Sequence, residues 1–321
     1  MNDLSLQQII IYPIKSLGGV SVSEAVVEAG GLRYDRRYLL VTPSFDDQSG
    51  VSTRGASTDS ARQGLFMTQR TVHPMALIDT AMNVPANELT VWHRHTPADV
   101  LTLPLVPPVQ EESMLVTIWD SEDVPAQRVS PDADAWFSRV MGKPCHLVYM
   151  RDTTRRTITS SHIRRDGVAD PIVSFADGFP VLIITQSSLN ELNRRLGEPL
   201  AKSTGESGGE PVSMARFRTN LVVDGLCWPH DEDTWATVRV GDVTFYGVKP
   251  CARCVLTTID PETGNRGKEP LRTLATYRSR DNKILFGENF IPDLTSAGHT
   301  LRVGELIKVL ERKEPWLPVG V

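Results

Sequence analysis

Two cysteines three positions apart, Cys251 and Cys254, enclose Arg253 in the stretch KPCARCVLTTIDPETG, Lys249 to Gly264, of a chain with four cysteines in all. Such a pair could be half of a structural zinc site, a redox couple, or a thiolate set aside for another metal. Structural zinc takes four soft ligands, usually from two such pairs, and the remaining cysteines stand alone at positions 145 and 227. A thioredoxin-like couple follows a strand and opens a helix, whereas Val255 to Ile259 is rich in β-branched residues and predicts a strand. The plain alternative is two buried cysteines packed as small hydrophobes. Arg253 weighs toward chemistry, because a cation beside a cysteine favours the thiolate, the form that binds metals. Which sulfur is exposed stays open at this point: a strand turns alternate residues to opposite faces, while a turn at Pro250 to Arg253 would bring neighbouring groups together.

The whole chain bounds the possibilities. Its 321 residues allow two domains or one large one, with a core that needs no disulfide staples. Hydrophobic residues make up 40% and charged residues 23%, proportions of a soluble globular protein. No apolar run approaches the roughly 20 residues of a spanning helix, and the N-terminus MNDLSLQQIIIYPIKS does not read as a secretion signal. A reducing, cytoplasmic setting is expected. The net charge of −5 argues against wholesale nucleic-acid binding, so any anion must be met locally. The basic run at Arg151 to Arg156 and the pair Arg164–Arg165 read as solvated loop.

The elements that must position the pair are mostly strands. Short β-branched and aliphatic segments recur between turn residues (IIIYPIKS, VSVSEAVVEA, RYLLVTP, LFMTQR, ALIDTAM, LTVWHRH, DVLTLPL), which predicts a β-rich N-terminal half. The polar, aperiodic stretch from Phe45 to Gln63 reads as a long hairpin loop, and AKSTGESGGEPVS as another. A helix is predicted over Pro131 to Val140, capped by Ser130, with Trp136, Phe137 and Val140 on one face, followed by the strand CHLVYM. FPVLIITQSSLNELNRRLG predicts a strand and then a helix, capped by Ser187 or Ser188, with Leu189, Leu192 and Leu196 inward. Further strands are expected in TNLVVDG, TVRVGDVTFYGVKP, RCVLTTID and LRVGELIKVLER. The fold class is therefore α+β and strand-dominated.

KPCARCVLTTIDPETG resembles the signature of the MOSC domain, and YPIKSLGG, Tyr12 to Gly19, is similar to that of the β-barrel domain preceding it in the amidoxime-reducing component group. GLRYDRRYLLV (31–41), FMTQRTVHPMALI (66–78), DGFPVLIIT (177–185), RFRTNLVVDG (216–225) and KEPLRTLATYR (268–278) follow in family order across nearly the whole chain. The resemblance implies an N-terminal β-barrel domain over 1–125 and a MOSC β-barrel domain with peripheral helices over 126–321. It also implies a molybdenum cofactor, a pterin whose dithiolene holds the metal and whose phosphate needs neutralising, and no pyridoxal phosphate. Cys254 matches the metal ligand. Lys15, Ser16, Arg36, Arg218, Asn220 and Arg253 match cofactor-contacting positions, Asp177 and Gly178 match a loop against the cofactor, and Arg70 joins this cationic cradle. His73, His93, His95, His146 and His230 have no ligand spacing and are read as structural or surface residues.

The activity so implied is two-electron reduction of N-hydroxylated small molecules; the protons would come from solvent or from a nearby acid, for which Asp177 and Asp260 are the candidates. The alternative is a carrier that holds the cofactor or a persulfide on Cys254. Three departures from the family pattern stand out: Leu17 where many relatives have Cys, the length of the 45–63 stretch, and a C-terminal LERKEPWLPVGV without further cysteines. The last leads to the expectation of a separate electron-donating reductase, carrying flavin, haem or an iron–sulfur cluster.

Overall fold

The computed structural model describes residues 3–43, 63–158, 171–198 and 209–319. The expected loop over 45–63, the Arg164–Arg165 pair and most of AKSTGESGGEPVS lie outside them.

Strands dominate, as expected. Tyr38–Thr42, Gln63–Phe66, Ser113–Ile118, Ser121–Arg128 and His146–Tyr149 close into a five-stranded barrel. Its interior follows the two-residue period of a strand: Leu39 and Val41, Val116 and Ile118, Val124 and Ala126, and Val148 with Met150 all point into one cluster. A meander of Ile78–Asn83, Glu88–His93 and Thr96–Pro104 packs its buried side chains with helix α1, Pro131–Met141, in a second cluster. Ser130 caps that helix by accepting from the Ala133 N–H, and Gly142, at φ +66°, closes it in the left-handed conformation where glycine is preferred.

The remaining frame is a nine-stranded sheet. Its strand Ser5–Ile11 comes from the chain's beginning yet pairs antiparallel with Leu221–Asp224, with Ile9 opposite Leu221. Val181–Thr185 lies parallel on the far side of Leu221–Asp224, and Lys283–Pro292 joins Val181–Thr185 to the long strand Val243–Arg253. Helix α2, Gln186–Gly197, buries Leu189, Leu192 and Leu196 as expected. Its cap differs from expectation: Thr185 Oγ1 accepts from the Ser188 N–H, starting the helix at once after the strand and leaving Ser188 buried, its hydroxyl donating to Glu232 at 2.8 Å.

RCVLTTID is not a strand. The strand ends at Arg253, and Val255–Thr258 winds into a 3₁₀ turn. The Thr257 and Thr258 hydroxyls donate to the carbonyls of Cys254 and Val255, so local side-chain bonding outcompetes the β-branched preference. Register shifts at Gly247–Lys249 and Pro250–Ala252 bend the strand before it delivers Cys251 and Cys254.

The bend depends on Gly247, where an added Cβ would meet the Trp235 carbonyl oxygen at 2.0 Å and the Phe290 ring at 3.2 Å. Gly247→Ala should lower unfolding stability in urea by about 2–4 kcal/mol. Gly197→Ala, at a helix end with nothing within 4 Å, should change it by under about 1 kcal/mol.

Candidate functional site

Backbone pairing brings six distant segments together. Past Ile11 the chain runs beside residues 36–38: the Arg36 N–H donates to the Tyr12 carbonyl (2.7 Å), the Tyr38 N–H to Pro13, and the Lys15 N–H to Tyr38. Because Ile9 faces Leu221, residues 12–17 emerge next to Arg218–Asn220. The Asn220 N–H donates to the Leu182 carbonyl, which draws in the segment from Asp177. That segment is held from behind by Arg156, which donates to the carbonyls of Ser174, Ala176 and Asp177. Arg156 is thus a buried tie and not part of a solvated loop, because three carbonyls of the bend at residues 174–177 need a donor. Arg70 follows the barrel strand Gln63–Phe66, and the bent strand supplies Cys251, Arg253 and Cys254.

One end of the resulting cavity is built on Tyr12. Its ring lies between two guanidiniums, Arg36 at 4.5 Å and Arg218 at 4.2 Å from the ring centre. Asp35, buried beneath, accepts from the Tyr12 N–H (2.9 Å), the Asn220 amide (3.1 Å) and Arg36 (2.5 Å). Arg36 also donates to Asn220 Oδ1 and the Arg218 carbonyl, both at 3.0 Å. Burial pushes the Tyr12 and Asp35 groups above their usual values and the Arg218 guanidinium down to about 10. Ser16, Arg36 and Arg218 have φ of +67°, +50° and +54°. Such conformations cost about 1–3 kcal/mol each in non-glycine residues and gather at functional sites.

The other end holds the sulfurs. Arg70 Nε donates to Cys254 Sγ at 3.0 Å and its Nη2 to Asp177 at 2.8 Å. Asp177 also accepts from Lys15 and, at 3.0 Å, from the Trp119 indole N–H. Burial lowers Lys15 to about 8, against the pull of Asp177. Burial alone would raise Asp177; Lys15 and Arg70 overcome it and hold the carboxyl well below the usual carboxylate range. Arg253 donates to Cys251 Sγ (2.9 Å) and the Phe217 carbonyl (2.6 Å). All four cysteines are free.

Lys15, Ser16, Arg36, Arg70, Asp177, Gly178, Arg218, Asn220, Arg253 and Cys254 all line this one cavity, and Cys251 lines it too. Asp260 does not: it pairs with Arg216 at 2.8 Å and accepts from the Glu262 and Thr263 N–H groups. Among the histidines, His146 meets Asp134 at 2.9 Å, and His230 is buried and pushed down to about 3 by that burial. Reading the sequence for site residues missed Tyr12, Trp119 and Arg156. Tyr12 stood inside a quoted motif, but the other two carry no signal except proximity in the fold.

The cavity suits a bulky anion bearing a soft metal. Among the described residues, five cationic side chains line it against the single carboxylate of Asp177. Arg218 Nη2 and Arg253 Nε are buried without a partner among the described residues, two donors awaiting an acceptor. Cys254, half-buried, offers one thiol at the edge.

Residues 3–144 match the family model described as the MOSC N-terminal beta barrel domain, and residues 170–308 that of the MOSC domain. A molybdenum cofactor sulfurase of Oryza sativa subsp. japonica is 30% identical over 318 residues, 96% of this chain and 36% of its own length. Mitochondrial amidoxime-reducing component 1 of Mus musculus is 32% identical over 324 residues, 95% of this chain and 82% of its own. The chain thus spans about a third of the sulfurase and about four fifths of the amidoxime-reducing relative. Among solved structures, the YUAD protein from Bacillus subtilis is 9% identical, covering 96% of this chain and 97% of its own with a TM-score of 0.39.

The lowered Lys15 sets a pH signature. Below about 8 it is cationic and anion affinity is flat; above, the free protein loses the proton that an anion favours, and affinity should fall by up to about tenfold per pH unit. Sulfate, whose charge is fixed across this range, is the probe, titrated calorimetrically. Lys15→Arg should flatten the decline, since guanidinium stays charged. A flat wild-type profile up to about pH 9.5 would remove Lys15 from the anion site.

Proposed function

The chain belongs to the MOSC-domain family, with the family's N-terminal β-barrel domain, and on that footing we propose that it is a molybdenum-cofactor-dependent reductase of N-hydroxylated compounds. The observation that supports this most is a free thiol, Cys254, beside Cys251 in a cavity that, among the described residues, is lined by five cations and holds two buried N–H groups without a partner. In this reading Cys254 holds the metal. Lys15, Ser16, Arg36, Arg218, Asn220 and Arg253 hold the phosphate and pterin, with Asp177 and Gly178 beside them. When bound, the cofactor supplies the redox centre for a two-electron reduction.

The reaction is R–NHOH plus two electrons and two protons to R–NH₂ plus water. Arg70 aims a charged donor at the Cys254 sulfur, and such contacts tune a metal through its ligand. Asp177, held as a carboxylate, can accept an N–H or O–H from substrate. This changes the role expected for it: with Lys15 and Arg70 stabilising its charge it is an acceptor, and the proton-bearing group at that edge at neutral pH is Lys15. Electrons come from a separate reductase. The cysteines of this sequence support that, since Cys145 is buried in the core with α1 and Cys227 lies against Ser187, and neither lines the cavity.

The amidoxime-reducing relative covers most of both chains, which favours the reductase over the carrier. The test uses protein made in a host that synthesises the cofactor. Wild type should contain about one molybdenum per chain and reduce benzamidoxime with reduced viologen. Cys254→Ser should lose metal and turnover, serine being a poor ligand for a soft metal, while Cys251→Ser keeps much of both. Stoichiometric zinc without molybdenum would sink the reading. Full cofactor without turnover, together with transfer of labelled sulfur from a desulfurase onto Cys254, would establish a carrier.

A further inference from the structure

Trp119 is out of keeping with its place in the chain. It is the first of two residues linking the strands Ser113–Ile118 and Ser121–Arg128, where Ile118 pairs with Ser121, and its φ is +53°. That position of a tight hairpin prefers glycine, and a bulky side chain there is a backbone outlier. Its indole is also 41% exposed, although a tryptophan at a hairpin tip could be replaced by any polar residue without opening a core.

The ring is nevertheless closely held. One face carries the Arg70 guanidinium at 4.2 Å, the ring meets Phe66 in a T-shaped contact at 4.9 Å between ring centres, and its N–H donates to Asp177 at 3.0 Å. Arg70 is the residue that reaches the Cys254 sulfur. The indole therefore stands behind two residues that line the sulfur end of the cavity, Arg70 and Asp177, whereas the Tyr12 end is occupied by Arg36 and Arg218. A carboxylate has about four lone-pair directions. Asp177 uses three, toward Lys15, Arg70 and Trp119, so one is left for an incoming N–H or O–H beside an aromatic surface.

We propose that Trp119 is a specificity-determining residue: with Asp177 it forms a platform that selects planar, delocalised substrates carrying an N–H, such as aryl amidoximes and N-hydroxylated nucleobases, over compact aliphatic hydroxylamines. This rests on the reading of Cys254 as the reacting end. A flat π-system gains contact with the exposed indole surface that Arg70 does not cover while its N–H reaches the free acceptor direction; an aliphatic hydroxylamine keeps the second contact and lacks the first.

Two variants separate ring from backbone. Trp119→Gly removes the ring and relieves the positive φ, so the hairpin should keep its fold; Trp119→Phe keeps a ring and gives up the bond to Asp177. With cofactor-loaded protein, calorimetry measures binding of benzamidine, the planar product of benzamidoxime reduction, and of acetamidine, its small counterpart. Stacking on an aromatic side chain changes affinity by about tenfold or more. Trp119→Gly should weaken benzamidine by about that factor and acetamidine by less than about threefold, and should lower kcat/KM for benzamidoxime relative to N-methylhydroxylamine by a similar ratio. Trp119→Phe should fall between Trp119→Gly and wild type. Equal losses for both amidines, with or without a lower urea midpoint, would mark a structural role and overturn the proposal, as would no loss for either. If wild type reduces neither N-hydroxy compound yet its amidine binding discriminates through Trp119, the reductase reading fails and the platform stands. Turnover of both compounds with an unchanged ratio in Trp119→Gly would do the reverse.

Discussion

Five like charges facing one cavity repel each other, and the fold has to hold them there. Two unit charges about 6 Å apart cost roughly 3 kcal/mol at an effective dielectric of about 20, so Lys15, Arg36, Arg70, Arg218 and Arg253 would drift toward solvent if nothing opposed them. Two carboxylates oppose them at the two ends. Asp35, buried, fixes Arg36 and the Asn220 amide together with the backbone of Tyr12. Asp177, at the mouth, gathers Lys15, Arg70 and Trp119. Neither carboxylate is redundant with the other, because they hydrogen-bond to different cations.

The backbone shape follows from the same constraint. Left-handed Arg36 directs its N–H to Tyr12 and its side chain to Arg218's carbonyl, while left-handed Arg218 sends its own guanidinium to the Leu17 carbonyl at 2.7 Å. The two side-chain contacts join residues about 180 to 200 positions apart, and they exist because Ser5–Ile11 crosses into the sheet of the C-terminal half. The strain at Ser16, Arg36 and Arg218 is offset by the hydrogen bonds that the strained shape alone permits. The cavity is therefore a product of both halves folding together.

Much of this was legible in the sequence because motif order fixes which segments matter. Lys15, Arg36, Arg70, Asp177, Arg218 and Cys254 come from six quoted stretches and line one cavity. What escaped has physical reasons. Val255–Thr258 looked like a strand because β-branched propensity says nothing of a threonine hydroxyl bonding backwards to its own turn. Thr185 ends a strand and caps a helix at once, which made Ser187 and Ser188 the more obvious caps. Arg156 sits in a basic run that composition assigns to solvent, and three carbonyls over a hundred positions from Lys15 decide otherwise. Trp119 lies at a hairpin tip, and its meaning comes from neighbours at positions 70 and 177.

The chemistry that the cavity admits is narrowed by what surrounds the sulfur. Among the described residues no group of three or more His, Cys, Asp and Glu side chains converges to hold a metal. Cys254 is flanked by arginine donors, with Arg70 on its sulfur and Arg253 on that of Cys251, and a guanidinium ligates nothing. A metal bound at Cys254 would therefore have to arrive with most of its ligands already attached, as a chelate. A chelate that holds its metal through sulfur and carries a phosphate is anionic, and an anion is what the five cations and the two buried N–H groups without a partner among the described residues are arranged to receive. The scarcity of protein ligands and the excess of positive charge are thus one requirement: a site with few soft ligands, one of its two sulfurs already engaged by Arg253, must bind its metal through everything the metal brings with it.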